Sequence, residues 1–192
     1  MWFLLLLALF LPTPAQTEAN SGKFYVERVY VFSKYDPSFV LQLANTILPP
    51  NKEVSQADVE CLITVLKDSG LFDQIKTKWS YSGKDIRTLE LHCDPQPGRE
   101  QFVVSRVSLV NLPQIDAWKF SNSITVKGVK AGVPLLNFTY DGINKAVDDS
   151  IGESVSPELL KDLGSAWISF KPDGEGKIEI LVLENKPECP TR

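Results

Sequence analysis

Ser55–Trp79, SQADVECLITVLKDSGLFDQIKTKW, changes its hydrophobic period once, and the change decides the fold. Ser55 followed by Asp58 reads as a capping-box-like helix start. The hydroxyl serves the orphan backbone N–H groups, and the carboxylate falls in the positive first turn. Val59, Leu62, Ile63 and Leu66 then recur at helical spacing and form one apolar stripe. Lys67 lies near the negative end, and Gly70 is free to take the left-handed conformation that closes a helix. Past Gly70 the period falls to two. Ile75, Thr77 and Trp79 alternate with Gln74, Lys76 and Lys78, the pattern of a half-buried strand. Leu71 and Phe72 form an apolar plug between the two elements.

Working outward, Phe24–Phe32 (FYVERVYVF) is rich in β-branched and aromatic residues and predicts a first strand, with Val29 and Val31 toward the core. Pro37 opens a helix over Ser38–Ile47, where Phe39, Leu43 and Ile47 recur every four residues. Leu48-Pro49-Pro50-Asn51 ends it. Downstream, Ser82-Gly83-Lys84-Asp85 is a hairpin turn and Thr88–Cys93 returns as a third strand. The order is β-α-α-β-β. With both helices paired on one face, strand one runs parallel to strand three. The spatial order is then one–three–two, a mixed sheet with strand two at an edge. Lys76 and Lys78 suit that edge, because charge there discourages stray pairing.

Asp94–Gly98 (DPQPG) marks a boundary, since two prolines and a glycine make a short stiff linker. Beyond it Phe102–Asn111 repeats the first strand, with Ser105-Arg106-Val107-Ser108-Leu109 matching Glu27-Arg28-Val29-Tyr30-Val31. A helix over Tyr140–Ile151, a short capped helix over Ser156–Gly164 and a closing hairpin (Trp167–Phe170, Pro172–Gly176, Ile178–Glu184) complete a second unit. Leu112–Phe138, with Pro113, Pro134, Gly128 and Gly132, reads as an extended insertion. The expected fold class is α+β: two tandem β-α-α-β-β units, each a three-stranded mixed sheet with two helices on one face. Their expected spans are residues 24–94 and 99–187.

The chain has 192 residues, 43% hydrophobic and 23% charged, an ordinary globular composition. A net charge of −4 without any Lys/Arg-rich run gives no footprint for nucleic acid. Met1–Ala15 (MWFLLLLALFLPTPA) reads as a secretory signal peptide, its apolar run far short of the ~20 residues that span a bilayer. No Lys or Arg precedes that run, so an uncleaved anchor is the alternative. Cys61, Cys93 and Cys189 permit one bridge and one free thiol in an oxidising compartment, and all three pairings stay open. Cys93 and Cys189 each fall just past a predicted final strand.

No residue set calls for catalysis, a cofactor or a metal. His92, the single histidine, is next to Cys93 on a strand, where adjacent side chains point to opposite faces and cannot serve one another. Asp148, Asp149 and Glu153 read as a solvated helix face. Asp173-Gly174-Glu175-Gly176 marks a hairpin, without the strand-to-helix context of a phosphate loop. Asn137-Phe138-Thr139 fits the N-glycosylation pattern.

The motifs resemble those of the polypeptide-transport-associated domain, POTRA, found in periplasmic parts of outer-membrane barrel assembly and two-partner secretion proteins. The residues that carry the resemblance are Val29-x-Val31, the Ser55-x-x-Asp58 start, and Leu66-x-x-x-Gly70-x-Phe72-x-x-Ile75, followed by a hairpin and an apolar third strand (Leu89, Leu91). Phe24–Asp94 matches well. Phe102–Glu184 matches loosely, with Ala166 at the plug position. Such domains usually precede a transmembrane barrel, for which this sequence is too short. The resemblance implies a secreted protein, periplasmic or associated with the outer membrane. It implies an extended polypeptide or an outer-membrane or secretion protein as partner, and no small-molecule substrate. An exposed edge at strand two, with Gln74, Lys76, Lys78 and Ser80 as candidate binding residues, accepts an added strand through backbone hydrogen bonds. Trp79 and Tyr81 share the parity of Ile75 and read as core. The alternative is a diverged secreted structural or dimerisation protein that retains only the fold.

Overall fold

The computed structural model describes residues 23–33, 36–95, 102–163 and 166–185. The leader expected over Met1–Ala15, the Gly164 helix stop and Cys189 lie outside the described residues. The N-terminal half comprises β1 (Phe24–Ser33), α1 (Pro37–Ile47), the short β2 (Glu53–Val54), α2 (Gln56–Asp68), β3 (Phe72–Tyr81) and β4 (Ile86–Pro95). The C-terminal half comprises β5 (Val103–Val110), α3 (Ala117–Val126), a 3-10 turn (Leu135–Asn137), α4 (Tyr140–Ser154), α5 (Pro157–Asp162), β6 (Trp167–Pro172) and β7 (Lys177–Leu183).

The fold is α+β, with strand orders β2-β1-β4-β3 and β5-β7-β6. β1 runs parallel to β4 and β3 antiparallel to it; β5, β7 and β6 repeat the arrangement. The order one–three–two expected from sequence is present in both sheets, with β2 added beside β1 in the first.

The repeat extends to an irregularity. The β1–β4 register skips Glu27, and the β5–β7 register skips Ser105, the residue aligned with it. An extra residue in a strand reverses the inward parity of everything beyond it. Phe24 and Val26 are therefore buried before the bulge, and Val29 and Val31 pack inward after it. Phe102 and Val104, then Val107 and Leu109, do the same in the second sheet. The innermost residues of β1 are thus Phe24 and Val26, at 1% exposure each, while Val29 and Val31 are only partly buried.

α2 forms as its sequence demands. The Asp58 N–H reaches Ser55 Oγ at 3.4 Å, and the Ser55 N–H donates to Asp58 Oδ2 at 2.7 Å. Gly70 closes the segment at φ 68°. Leu62, Leu66, Leu71, Phe72, Leu89 and Leu91 are buried, with Ile63 and Ile75 packed partly against them.

Four expectations are corrected. Residues 112–138 are not simply extended, because Asp116 Oδ1 accepts from the N–H groups of Trp118 and Lys119 and starts α3, which buries Phe120 and Ile124. The exposed Trp118 and Val126 on its other face obscure the apolar stripe. Consequently α3 and α4 occupy the places of α1 and α2, and α5 is an additional short helix whose Leu159 and Leu160 are exposed. β4 continues through Asp94 to Pro95, so Cys93 lies within a strand rather than past one. Tyr81 is 67% exposed, because it stands at the hairpin end of β3. Of the cysteines, Cys61 is disulfide-bonded and Cys93 is a buried free thiol, which removes both pairings that would use Cys93.

The two halves share one contiguous apolar cluster. Phe39 of α1 meets Tyr140 of α4 at 5.4 Å and Phe170 of β6 at 4.8 Å between ring centroids. Asp36 spans the same junction. Its Oδ1 accepts the Ser38 N–H at 2.9 Å and its Oδ2 the Tyr140 N–H at 2.7 Å, capping α1 and α4 together. Burial opposes ionisation of this carboxyl, yet the backbone hydrogen bonds outweigh it and hold its pKa below the usual value.

Candidate functional site: the open edge of the first sheet

β3 has one strand neighbour, β4, along a ten-residue length. Residues facing each other in an antiparallel ladder alternate between pairs that exchange backbone hydrogen bonds and pairs that do not. The Ser82 N–H donates to the Ile86 carbonyl at 3.0 Å. Stepping by two from that pair puts Ser80–Thr88, Lys78–Glu90, Lys76–His92 and Gln74–Asp94 in the bonded class. The backbone groups of Ile75, Thr77, Trp79 and Tyr81 therefore point away from the sheet, and no turn or loop bond among the described residues engages them. The sequence-derived candidates Gln74, Lys76, Lys78 and Ser80 have their main-chain groups turned toward β4. They contribute side chains to the face bordering the edge, while the residues of opposite parity supply its donors and acceptors.

The face of this sheet turned away from the helices is polar and aromatic. Lys76 lies 3.9 Å from Asp94 and Lys78 3.4 Å from Glu90, with the lysine side chains 67% and 71% exposed. His92 approaches Glu90 at 3.6 Å and stacks on Phe32 at 4.6 Å between centroids. Cys93, the next residue, is buried on the opposite face, so the His–Cys pair is split as strand geometry requires. Burial, reinforced by Asp94, pushes the Cys93 thiol up to about 11, which keeps it protonated at neutral pH.

On the helix side, Trp79 meets Phe24 edge-on at 5.6 Å. The Arg87 guanidinium lies 3.9 Å over the Phe24 ring and 5.6 Å from the Tyr81 ring. Its Nε is buried without a hydrogen-bond partner.

The other sequence-derived candidates fall elsewhere. Asp149 pairs with Lys145 at 2.9 Å, and Glu153 with Lys127 at 2.7 Å, on the exposed side of α4. Asp148 makes no such pair among the described residues, and burial raises its pKa. Among the described residues, no group of three or more His, Cys, Asp or Glu is placed to hold a metal ion. A cavity of about 220 Å³ opens at the junction, lined by Phe39, Leu71, Leu136, Tyr140 and Phe170 with Asp36 at its rim. Sequence reasoning could not find it, since its walls come from segments a hundred residues apart.

No protein-family model matches the chain. No curated protein matches it either. Solved structures similar to it include POTRA1-2 of the periplasmic domain of Omp85 from Anabaena, at 13% identity and TM-score 0.35, covering 88% of this chain and 99% of that one. POTRA1-3 of the same Omp85 aligns at 14% identity and TM-score 0.36, and the chain spans 62% of that structure. BamA POTRA3-5 from Haemophilus influenzae aligns at 15% identity and TM-score 0.31, covering 86% of this chain and 69% of that one.

Proposed function

We propose that this protein is a non-enzymatic polypeptide-binding module that captures an extended segment by strand addition to β3. One observation carries the reading: the ten-residue edge strand, with Ile75, Thr77, Trp79 and Tyr81 turned outward. An added strand gains main-chain hydrogen bonds worth ~0.5–1.5 kcal/mol net each, so a handful leaves weak binding after association costs. Weak, reversible capture through main-chain bonds suits a protein that hands on unfolded clients. The units over 24–94 and 99–187 act as tandem repeats in this reading, the first as the binding unit. Export by the leader over Met1–Ala15 places the protein in the periplasm or at the outer membrane, in envelope assembly or secretion, the setting that the POTRA-like motifs imply.

Thr77→Pro is the direct test, because it deletes an outward donor at an exposed edge position where proline is tolerated. Titration of the exported protein with extended peptides, followed by amide NMR, is expected to move resonances of Ile75–Tyr81, and Thr77→Pro is expected to abolish those shifts. Shifts confined to the helices, or binding unaffected by the proline, refute strand addition.

A further inference from the structure

We propose that the β3 edge selects added strands with carboxylates at alternate positions on the face away from the helices and apolar residues between them. The inference rests on the reading of β3 as a strand-addition edge and names the chemistry of the segment added there. Lys76 and Lys78 border that edge on one face, with 67% and 71% of their side chains exposed. Their present partners, Asp94 and Glu90, belong to β4, at 3.9 and 3.4 Å. Such long pairs, with both lysines exposed, contribute little. A newcomer's side chains directly opposite would stand about 4.5–5.5 Å away, Cβ to Cβ, as near as those of β4. Carboxylates there would share the two ammonium groups, whereas lysines would place like charges face to face.

The other face of the edge asks for something different. Ile75 and Trp79 are half-buried there, as apolar residues packed against the core. At its hairpin end Arg87 is held against Phe24 and Tyr81, its Nε lacking a hydrogen-bond partner and its charge lacking an ion pair among the described residues. The cations bordering the outward backbone groups are therefore Lys76 and Lys78, while Arg87 is turned back over β4 toward Phe24 of β1. The one acidic residue of β3, Asp73, lies at the irregular start of the strand, where the register skips it. The chain carries −4 overall, so attraction for an acidic segment is local to this edge and short in range.

The test uses the full exported chain and two synthetic nine-residue peptides, one alternating valine with glutamate and one alternating valine with lysine. At low salt the glutamate peptide is expected to bind about tenfold tighter, with amide shifts along Ile75–Tyr81, and the preference is expected to shrink as salt rises. Lys76→Glu/Lys78→Glu, at two exposed positions, is expected to invert the preference, with an unchanged amide spectrum elsewhere confirming the fold. N-methylation of either peptide at every second residue is expected to abolish binding. Equal affinity of the two peptides at β3, or a preference that the double variant leaves in place, overturns the charge selectivity while strand addition stands. Binding that survives N-methylation in both phases, or that maps away from β3, overturns both.

Discussion

β3 and β6 are corresponding edge strands of the two sheets, and they are finished in opposite ways. β3 runs ten residues and β6 six. The Asp173 N–H donates to the Lys177 carbonyl at 3.0 Å, so by the same alternation Ile168, Phe170 and Pro172 hold the outward backbone positions of β6. Pro172 has no donor to offer. It also lies against the first half: a Cβ at Gly70 would overlap the Pro172 ring. Phe170 packs on Phe39 nearby. Short length, proline and cover are standard ways of silencing an edge; β3 has none of these and is guarded by the charges of Lys76 and Lys78 and the irregular start at Asp73. The outer faces differ too. On the second sheet Arg106 grips the buried Glu179 at 2.7 and 3.1 Å, and Ser108 donates to the same carboxylate. Among the described residues the equivalent Arg28 hydrogen-bonds only the Tyr30 hydroxyl, at 3.4 Å. A duplicated topology has thus been closed in one copy and left open in the other.

The largest effect that sharpens this contrast is expected at the plug. Phe72→Ala should cost ~3–5 kcal/mol, as buried aromatic truncations do. The corresponding position in the second half holds the partly buried Ala166, where Ala166→Gly should cost no more than ~0.8 kcal/mol, the worth of one buried methylene-sized group. Urea melts of both variants measure this, and similar costs would mean the halves do not differ there.

Gly70→Ala should come next. A side chain at φ 68° meets left-handed strain, and its Cβ would overlap the Pro172 ring. The strain alone costs ~1–2 kcal/mol. Pro172→Ala in the Gly70→Ala background should recover part of the loss. If the two changes are simply additive in a double-mutant cycle, that contact does not join the halves.

Glu179 should make the second sheet the acid-sensitive one. The Arg106 hydrogen bonds, aided by Ser108 and opposed by burial, hold its carboxyl down at about 2, against an ordinary 4.5. Because the folded pKa is depressed, the stabilisation is complete above about 4.5 and is lost as pH falls toward 2. Glu179→Gln should therefore cost most near neutrality and progressively less on acidification, read from chemical denaturation at several pH values. A cost independent of pH would leave the ion pair without a role in stability.

The smallest stability effect should belong to Thr77→Pro, because proline at an outward-facing edge position removes no ladder hydrogen bond. Lys78→Pro, one position further along and in the bonded class, should cost more because it breaks a ladder bond with β4. Matched thermal melts compare them, and equal losses would show the parity assigned to the edge to be reversed.

Much of this was legible in the chain because local chemistry is local. The Ser55–Asp58 box, the apolar stripe through Leu66, the Gly70 stop and the two-residue period after it specify α2 and β3 without reference to anything distant. Lys76 and Lys78 likewise announced a strand with an unpaired side. α3 was hidden because its exposed Trp118 and Val126 spoil the amphipathic pattern. The bulges at Glu27 and Ser105 were hidden because apolar residues at both parities leave the inward one undefined.

Local sequence was enough for the β-α-α-β-β order of the first half, the edge position of β3 and the repeat of the first strand and closing hairpin, since each follows from periodicity, caps and turn residues within a few tens of positions. Which backbone groups of β3 face outward depends on the register set across the hairpin by Ser82 and Ile86, which spacing alone does not fix. Only the tertiary structure brought Pro172 against Gly70 and Asp36 against the start of α4, because contacts between residues a hundred positions apart have no signature in spacing.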